Sequence, residues 1–300
     1  MSDPVPTAAA IQFRSFEIGY SVAGAGEPVV LLHSGGLSSR QWGRLAEELS
    51  ARYRVLAPDF LGYGRSSPWP EGQEFHFHLD ALAVEALLDS IAEPVHLVGH
   101  SYGGFIALLA ALHRPGRVSS LVAFEPVAFG VLHSRHDEVG LSSLVAADVE
   151  GLLRDPRTGG QEPWLRAFVE YWSGAGAWDR LSESARASFR AVGWKLFGEV
   201  QSLILDRTPH QAYATLSVPT LLLCGDASPI AARRVVAILS EAIPAAEART
   251  VAGAGHMGPL THATQVNGWI ADHLARPERG RTRVKPTRPG ASSTTRPPRS

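Results

Sequence analysis

VHLVGHSYGGFIALL, residues 95–109, decides the fold. An apolar run of strand formers, residues 95–99, meets the pentapeptide Gly99, His100, Ser101, Tyr102, Gly103 and passes directly into an apolar helical segment, residues 105–112. Strand, G-x-S-x-G and helix in that order describe a serine presented on a sharp turn, with Ser101 as candidate nucleophile. Such a turn holds the serine in a strained backbone conformation, and β-carbons at Gly99 and Gly103 would collide with neighbouring backbone. The serine oxygen then sits at a helix amino terminus, where developing negative charge is favoured.

Outward from this stretch, short β-rich runs alternate with longer segments of helical period. The runs at 29–33, 54–58, 95–99, 119–125, 220–224 and 248–252 read as strands, and helices are expected at 40–50, 79–91, 103–113, 231–242 and 263–274. Two earlier segments, 11–16 and 17–22, suit an antiparallel entry to the same sheet. This alternation predicts an α/β fold, a mostly parallel sheet with helices on both faces. From residue 127 to 217 the strand signal lapses, leaving helical pieces that carry Trp164, Phe168, Trp172, Trp178 and Trp194. An insertion at that point would cover the carboxyl edge of the sheet, where open α/β sheets bind ligands. Most of these aromatics are expected to form its own small core, with one or two reaching a pocket.

A serine hydroxyl needs a base, and His256 fits, in the glycine-rich loop 253–258 just after the last strand. An oxyanion needs preorganised N–H donors. Tyr102, next to the nucleophile, is the first; the second comes from the loop His33, Ser34, Gly35, Gly36, with Gly35 leading and Gly36 or Leu37 as alternatives. Together with Asp59, Gly62, Gly64 and Ser66 in DFLGYGRSS, these residues resemble the α/β-hydrolase superfamily over about residues 10–275. The resemblance implies an eight-stranded sheet, a helical lid after the sixth strand, and the chain order serine, acid, histidine. It also sets the chain apart from relatives that open epoxides or remove halide, which use a carboxylate nucleophile where Ser101 stands.

The acid departs from the family pattern. Most members carry it after the seventh strand as G-x-x-D-P, whereas this chain reads Gly225, Asp226, Ala227, Ser228, Pro229. Ser228 cannot balance an imidazolium. Glu125, at the end of the sixth strand, is favoured because some branches of the superfamily place the acid there and its longer side chain can reach the histidine. Asp226 is the alternative, with a turn or capping role as its other reading.

The 300 residues are 45% hydrophobic, enough for a sizeable core, and no apolar run approaches the roughly 20 residues of a membrane span. Residues 1–10 lack the charged start and apolar stretch of a secretory signal, so a cytoplasmic location is expected. The single cysteine, Cys224, excludes an intramolecular disulfide and reads as a buried core residue. Residues 276–300 hold eight Lys or Arg and one acid, which leaves a charge of -8 on the preceding 275. That acidic body argues against nucleic-acid binding. The expected organisation is a hydrolase core of residues 1–126 and 218–275, a helical lid of 127–217, and a disordered basic tail of 276–300. No metal or organic cofactor is implied; His133, His136 and Asp137 lack a fourth ligand.

The leading functional expectation is a serine hydrolase that cleaves a carboxylic ester or lactone of a hydrophobic small molecule through an acyl-enzyme. The same scaffold supports carbon–carbon bond hydrolysis, acyl transfer and cofactor-free perhydrolysis, and a non-catalytic ligand-binding protein is a further alternative.

Overall fold

The computed structural model describes residues 6–276. Eight strands form one sheet: β1 (Thr7–Phe13), β2 (Phe16–Ala23), β3 (Glu27–Leu32), β4 (Tyr53–Pro58), β5 (Val95–His100), β6 (Val118–Phe124), β7 (Thr220–Gly225) and β8 (Ala246–Val251). Their order is β1-β2-β4-β3-β5-β6-β7-β8. Only β2 runs antiparallel to its neighbours. The fold is the α/β-hydrolase fold that the motifs imply.

Each central strand faces helices on both sides, and its side chains divide between two cores by the period of two. Val30 and Leu32 of β3 pack with α2 (His78–Ser90), α3 (Tyr102–His113) and α11 (Ile230–Ala242). Val29 and Leu31 pack on the opposite face with α1 (Gly43–Ser50) and α13 (Ala263–Leu274). Leu31 and Leu222 are wholly buried, and truncating either to alanine costs about 2–5 kcal/mol. The first two strands begin earlier than local pattern suggests. Ala8, Ala9 and Ala10 are poor strand formers, but their pairing with Ser21, Tyr20 and Gly19 overrides that preference.

Between β6 and β7 lie α4 (Gly130–Ser134), α5 (Glu138–Ala147), α6 (Glu162–Ser173), α7 (Ala177–Arg180), α8 (Glu183–Ala191), α9 (Gly193–Ile204) and α10 (His210–Tyr213). Trp164, Trp178, Leu165 and Leu196 give this insertion a small core of its own. Asp137 ties it to the main body: it accepts from Gly140 N–H at 2.7 Å, capping α5, and from Arg234 Nε of α11 at 2.7 Å. The remaining short helix, α12 (Gly258–Thr261), follows β8. No helix among the described residues is long and apolar enough to cross a membrane. Of the basic tail, 276–300, only Arg276 falls within the described residues; it pairs with Glu247.

The strand order explains where a site can form. The chain leaves β3 to one side for β4 and returns to the other side for β5, so the loops after β3 and β5 diverge and open a crevice. The β3 and β5 register pairs Leu32 with Gly99. Gly35 and Ser101 therefore leave adjacent strand ends.

Candidate active site

Ser101 is the hinge between β5 and α3, with φ 55° and ψ -116°. A non-glycine residue in this region costs about 1–3 kcal/mol, which the surroundings must outweigh. They do so through backbone bonds: Ser101 N–H donates to Phe124 O at 2.9 Å, and Phe105 N–H donates to Ser101 O at 3.0 Å. A β-carbon on Gly99 would lie 2.3 Å from Gly103 O, and one on Gly103 would lie 2.4 Å from Leu32 O. Both glycines are sterically required, as expected from the pentapeptide.

The register of β5 with β6 pairs His100 with Phe124, so Glu125 emerges beside Ser101. Glu125 also turns sharply, at φ 45°, and is wholly buried. His256 reaches both from the loop after β8, its side chain 2% exposed. Its Nε2 lies 2.9 Å from Ser101 Oγ, and its Nδ1 lies 2.6 Å from Glu125 Oε2. The other carboxylate oxygen, Glu125 Oε1, accepts from Gly225 N–H at 2.7 Å and from the Ser228 hydroxyl at 2.5 Å. Asp226 is exposed and accepts from Gly253 N–H at 2.7 Å, holding the turn that leads to His256. Of the two candidate acids, the structure brings Glu125 to the histidine and gives Asp226 the turn role.

His256 is held from two further sides. The Trp172 ring stacks on its imidazole at 3.9 Å between centroids and 25° between planes. Behind it, His100 Nε2 donates to His256 O at 2.9 Å, while His100 Nδ1 accepts from Gln41 Nε2 at 2.9 Å. Burial, with His256 next, pushes the His100 pKa well below its usual 6.5, so the ring stays neutral and keeps an acceptor nitrogen. Gln41 Oε1 in turn accepts from Ser34 N–H at 2.9 Å. The relay joins the histidine loop to the loop after β3.

That second loop is built from buried polar contacts. His33 donates from Nδ1 to Ser34 O at 2.8 Å and accepts Phe60 N–H on Nε2 at 3.0 Å; burial lowers its pKa to about 4. Asp59 accepts from Ser39 N–H at 2.7 Å and Arg65 N–H at 3.0 Å, the structural reason for its place in DFLGYGRSS. Gly35, Ser101 and Tyr102 line one cavity of about 480 Å³. Gly36 differs from its neighbour: its N–H donates to the Tyr63 hydroxyl at 3.1 Å. Of the two loop glycines named as donors, Gly36 N–H thus already has a partner in this structure.

The cavity walls are mainly apolar, with Phe168, Trp172, Leu144 and Leu203 among them. Of the five insertion aromatics singled out in the sequence, Trp164 and Trp178 are core and Phe168 and Trp172 reach the cavity. Trp194 donates from Nε1 to Gln73 O at 2.9 Å. A second, more open cavity touches Trp172, His256 and Ser228. Sequence reasoning missed a buried ionic cluster at the first cavity. Lys195 Nζ donates to Asp80 Oδ2 at 2.6 Å and to Glu199 Oε1, and the Tyr102 hydroxyl donates to Asp80 Oδ2 at 2.8 Å. Burial pushes the Glu199 carboxyl up to about 7 against the opposing pull of Lys195. The only sequence signal for this cluster is a charged pair, i and i+4, on an otherwise apolar helix.

A sequence profile described as the alpha/beta hydrolase family matches residues 29–269. Among curated proteins, the 2-hydroxy-6-oxononadienedioate/2-hydroxy-6-oxononatrienedioate hydrolase of Paraburkholderia xenovorans is 28% identical over 270 residues, covering 86% of this chain and 91% of that protein. The pimeloyl-[acyl-carrier protein] methyl ester esterase of Aeromonas salmonicida is 27% identical over 257 residues, covering 81% of this chain and 93% of its own. Among solved structures, the enol-lactonase from Burkholderia xenovorans superposes with a TM-score of 0.68 at 20% identity, covering 89% of this chain and 100% of that one. At that identity the superposition speaks for the fold alone.

Proposed function

The chain belongs to the alpha/beta hydrolase family, and we propose that within it the protein is a serine hydrolase for carboxylic esters or lactones of apolar small molecules. The observation that carries this reading is the continuous hydrogen-bonded line from Ser101 Oγ through His256 to Glu125, at 2.9 and 2.6 Å, opening on an apolar cavity.

Ser101 Oγ attacks the substrate carbonyl carbon while His256 Nε2 takes the hydroxyl proton. Glu125, accepting from Nδ1–H, fixes the tautomer and balances the imidazolium. The carbonyl oxygen becomes an oxyanion, held by the N–H groups of Gly35 and Tyr102. When the carbon–oxygen bond breaks, His256 returns the proton to the departing alcohol. Water then attacks the acyl-enzyme, again giving its proton to His256, and Ser101 is regenerated as the acid leaves. In this reading the insertion, residues 127–217, is a lid over the crevice. Phe168 and Trp172 in the cavity wall support that role, and a cytoplasmic location, with no nucleic-acid partner, belongs to the same proposal.

A second reading, carbon–carbon bond hydrolysis, has one specific support: the reaction named for the Paraburkholderia relative. A panel of p-nitrophenyl esters of graded chain length separates the two. Hydrolysis that Ser101→Ala removes is expected; no hydrolysis of any ester by protein that still reacts at Ser101 would favour the second reading.

A further inference from the structure

We propose that Lys195, on α9 of the insertion, is a positioning residue that fixes both halves of the oxyanion hole at once; this rests on the serine-hydrolase reading above. Its ammonium is 2% exposed and sits between two carboxylates, Asp80 Oδ2 at 2.6 Å and Glu199 Oε1. Each carboxylate leads to a different oxyanion donor.

Asp80 accepts the Tyr102 hydroxyl at 2.8 Å, and its other oxygen accepts Leu61 N–H at 3.1 Å. The side chain of Tyr102 is thereby held against α2, and with it the first residue of α3, whose N–H is one donor. The Tyr63 ring lies under the same ammonium, and its hydroxyl accepts Gly36 N–H at 3.1 Å. This second line holds the turn from which Gly35 N–H is the other donor. Glu199 also limits Gly35 directly, since a β-carbon there would lie 2.6 Å from Glu199 Oε2. The Lys195 ammonium further lies 4.6 Å from the centre of the Tyr63 ring and 5.1 Å from that of Tyr102. Both tyrosine rings thus meet the cation that bridges Asp80 and Glu199.

The arrangement is asymmetric in origin. Asp80 and Tyr102 belong to the sheet-flanking helices, Tyr63 to the loop after β4, and Lys195 and Glu199 to the insertion. None of these side chains lies in the line from Ser101 to Glu125. Lys195 therefore acts on stabilisation of the oxyanion and leaves nucleophile activation untouched. A group that only held the fold together would not separate the two.

The test uses the full chain with a p-nitrophenyl ester and an alkyl trifluoromethyl ketone, which adds Ser101 to its carbonyl and mimics the oxyanion. Lys195→Met and Tyr63→Phe are each expected to lower kcat about tenfold or more, keep KM within about twofold, and weaken ketone binding by the same factor as kcat. The double variant is expected to lose little more than the larger single effect, because both act on one line of contacts. Tyr63→Phe removes a single oxygen and carries the test if Lys195→Met does not fold. Folded variants with kcat within about twofold of wild type, or a loss of kcat with unchanged ketone affinity, would overturn the inference. A wild type that neither hydrolyses the esters nor binds the ketone overturns the hydrolase reading and this inference with it. An active wild type with unaffected variants overturns this inference alone.

Discussion

Ser228 occupies the place where the family pattern has its aspartate, and its hydroxyl donates a hydrogen bond to Glu125, the proposed acid. Glu125 is gripped by Ser228 and Gly225 N–H on one oxygen and faces His256 with the other. Glu125→Gln, in folded protein, is expected to lower kcat by about a thousandfold or more, while Asp226→Asn stays within about threefold. Steady-state kinetics on one ester decide between them, and the reverse ranking would exclude Glu125 as the acid behind His256. The sequence favours Glu125 from its strand-end position and keeps Asp226 as the alternative, without the geometry of either. The choice depends on a positive φ at Glu125 and on where Asp226 points, two features that spacing does not encode. The sequence ranks Gly35 ahead of Gly36 as a donor, but the partner that occupies Gly36 N–H, Tyr63, is tertiary and is not encoded in the loop.

At the scale of elements, the central strands were legible because parallel strands covered on both faces are short apolar runs with turn signals between them. The edge strands were less so. β8 reads Ala246–Val251 as an alternating, half-exposed segment, and its pairing with β7 sets its start two residues before the apolar signal. The insertion was visible only as a lapse in strand signal, and its contacts with the core could not be read at all. Two of them matter: Lys195 between Asp80 and Glu199, and Trp172 on the imidazole of His256. Trp172 lines both cavities, together with Tyr171 and Ala147. Trp172→Ala is expected to join the cavities and release the imidazole. Its kcat/KM should fall about tenfold for short acyl esters and less for bulky ones, since a lost stack frees the base while the added volume admits larger groups. An unchanged chain-length profile would show that Trp172 forms no part of the binding wall.

For the whole molecule, the buried titratable groups set how stability varies with pH. His33, held to about 4, and His100, held well below 6.5, both stay neutral when folded because burial disfavours their charged forms. Unfolded, each takes up a proton near pH 6.5, so the stability they contribute above that pH is lost as pH falls. Glu199 acts in the opposite sense. Raised to about 7, it remains protonated when folded after the unfolded carboxyl has ionised near 4.5, so its contribution is lost as pH rises between those values. The two histidines outweigh the one carboxyl, and His273, lowered by burial, acts in the same sense, so stability falls as pH drops below about 6.5. Thermal melts across this range are expected to show Tm falling from near pH 6.5. A Tm that stays flat to pH 5 would contradict the assignment of neutral buried histidines.

In the proposed mechanism Ser101 is a nucleophile activated by His256 and Glu125. Treatment of the wild type with a fluorophosphonate, followed by peptide mass mapping, tests it most directly. One covalent phosphonyl adduct is expected on Ser101, absent from Ser101→Ala and formed far more slowly in Glu125→Gln. Folded wild-type protein that forms no adduct at Ser101, or an adduct rate that Glu125→Gln leaves unchanged, would contradict it.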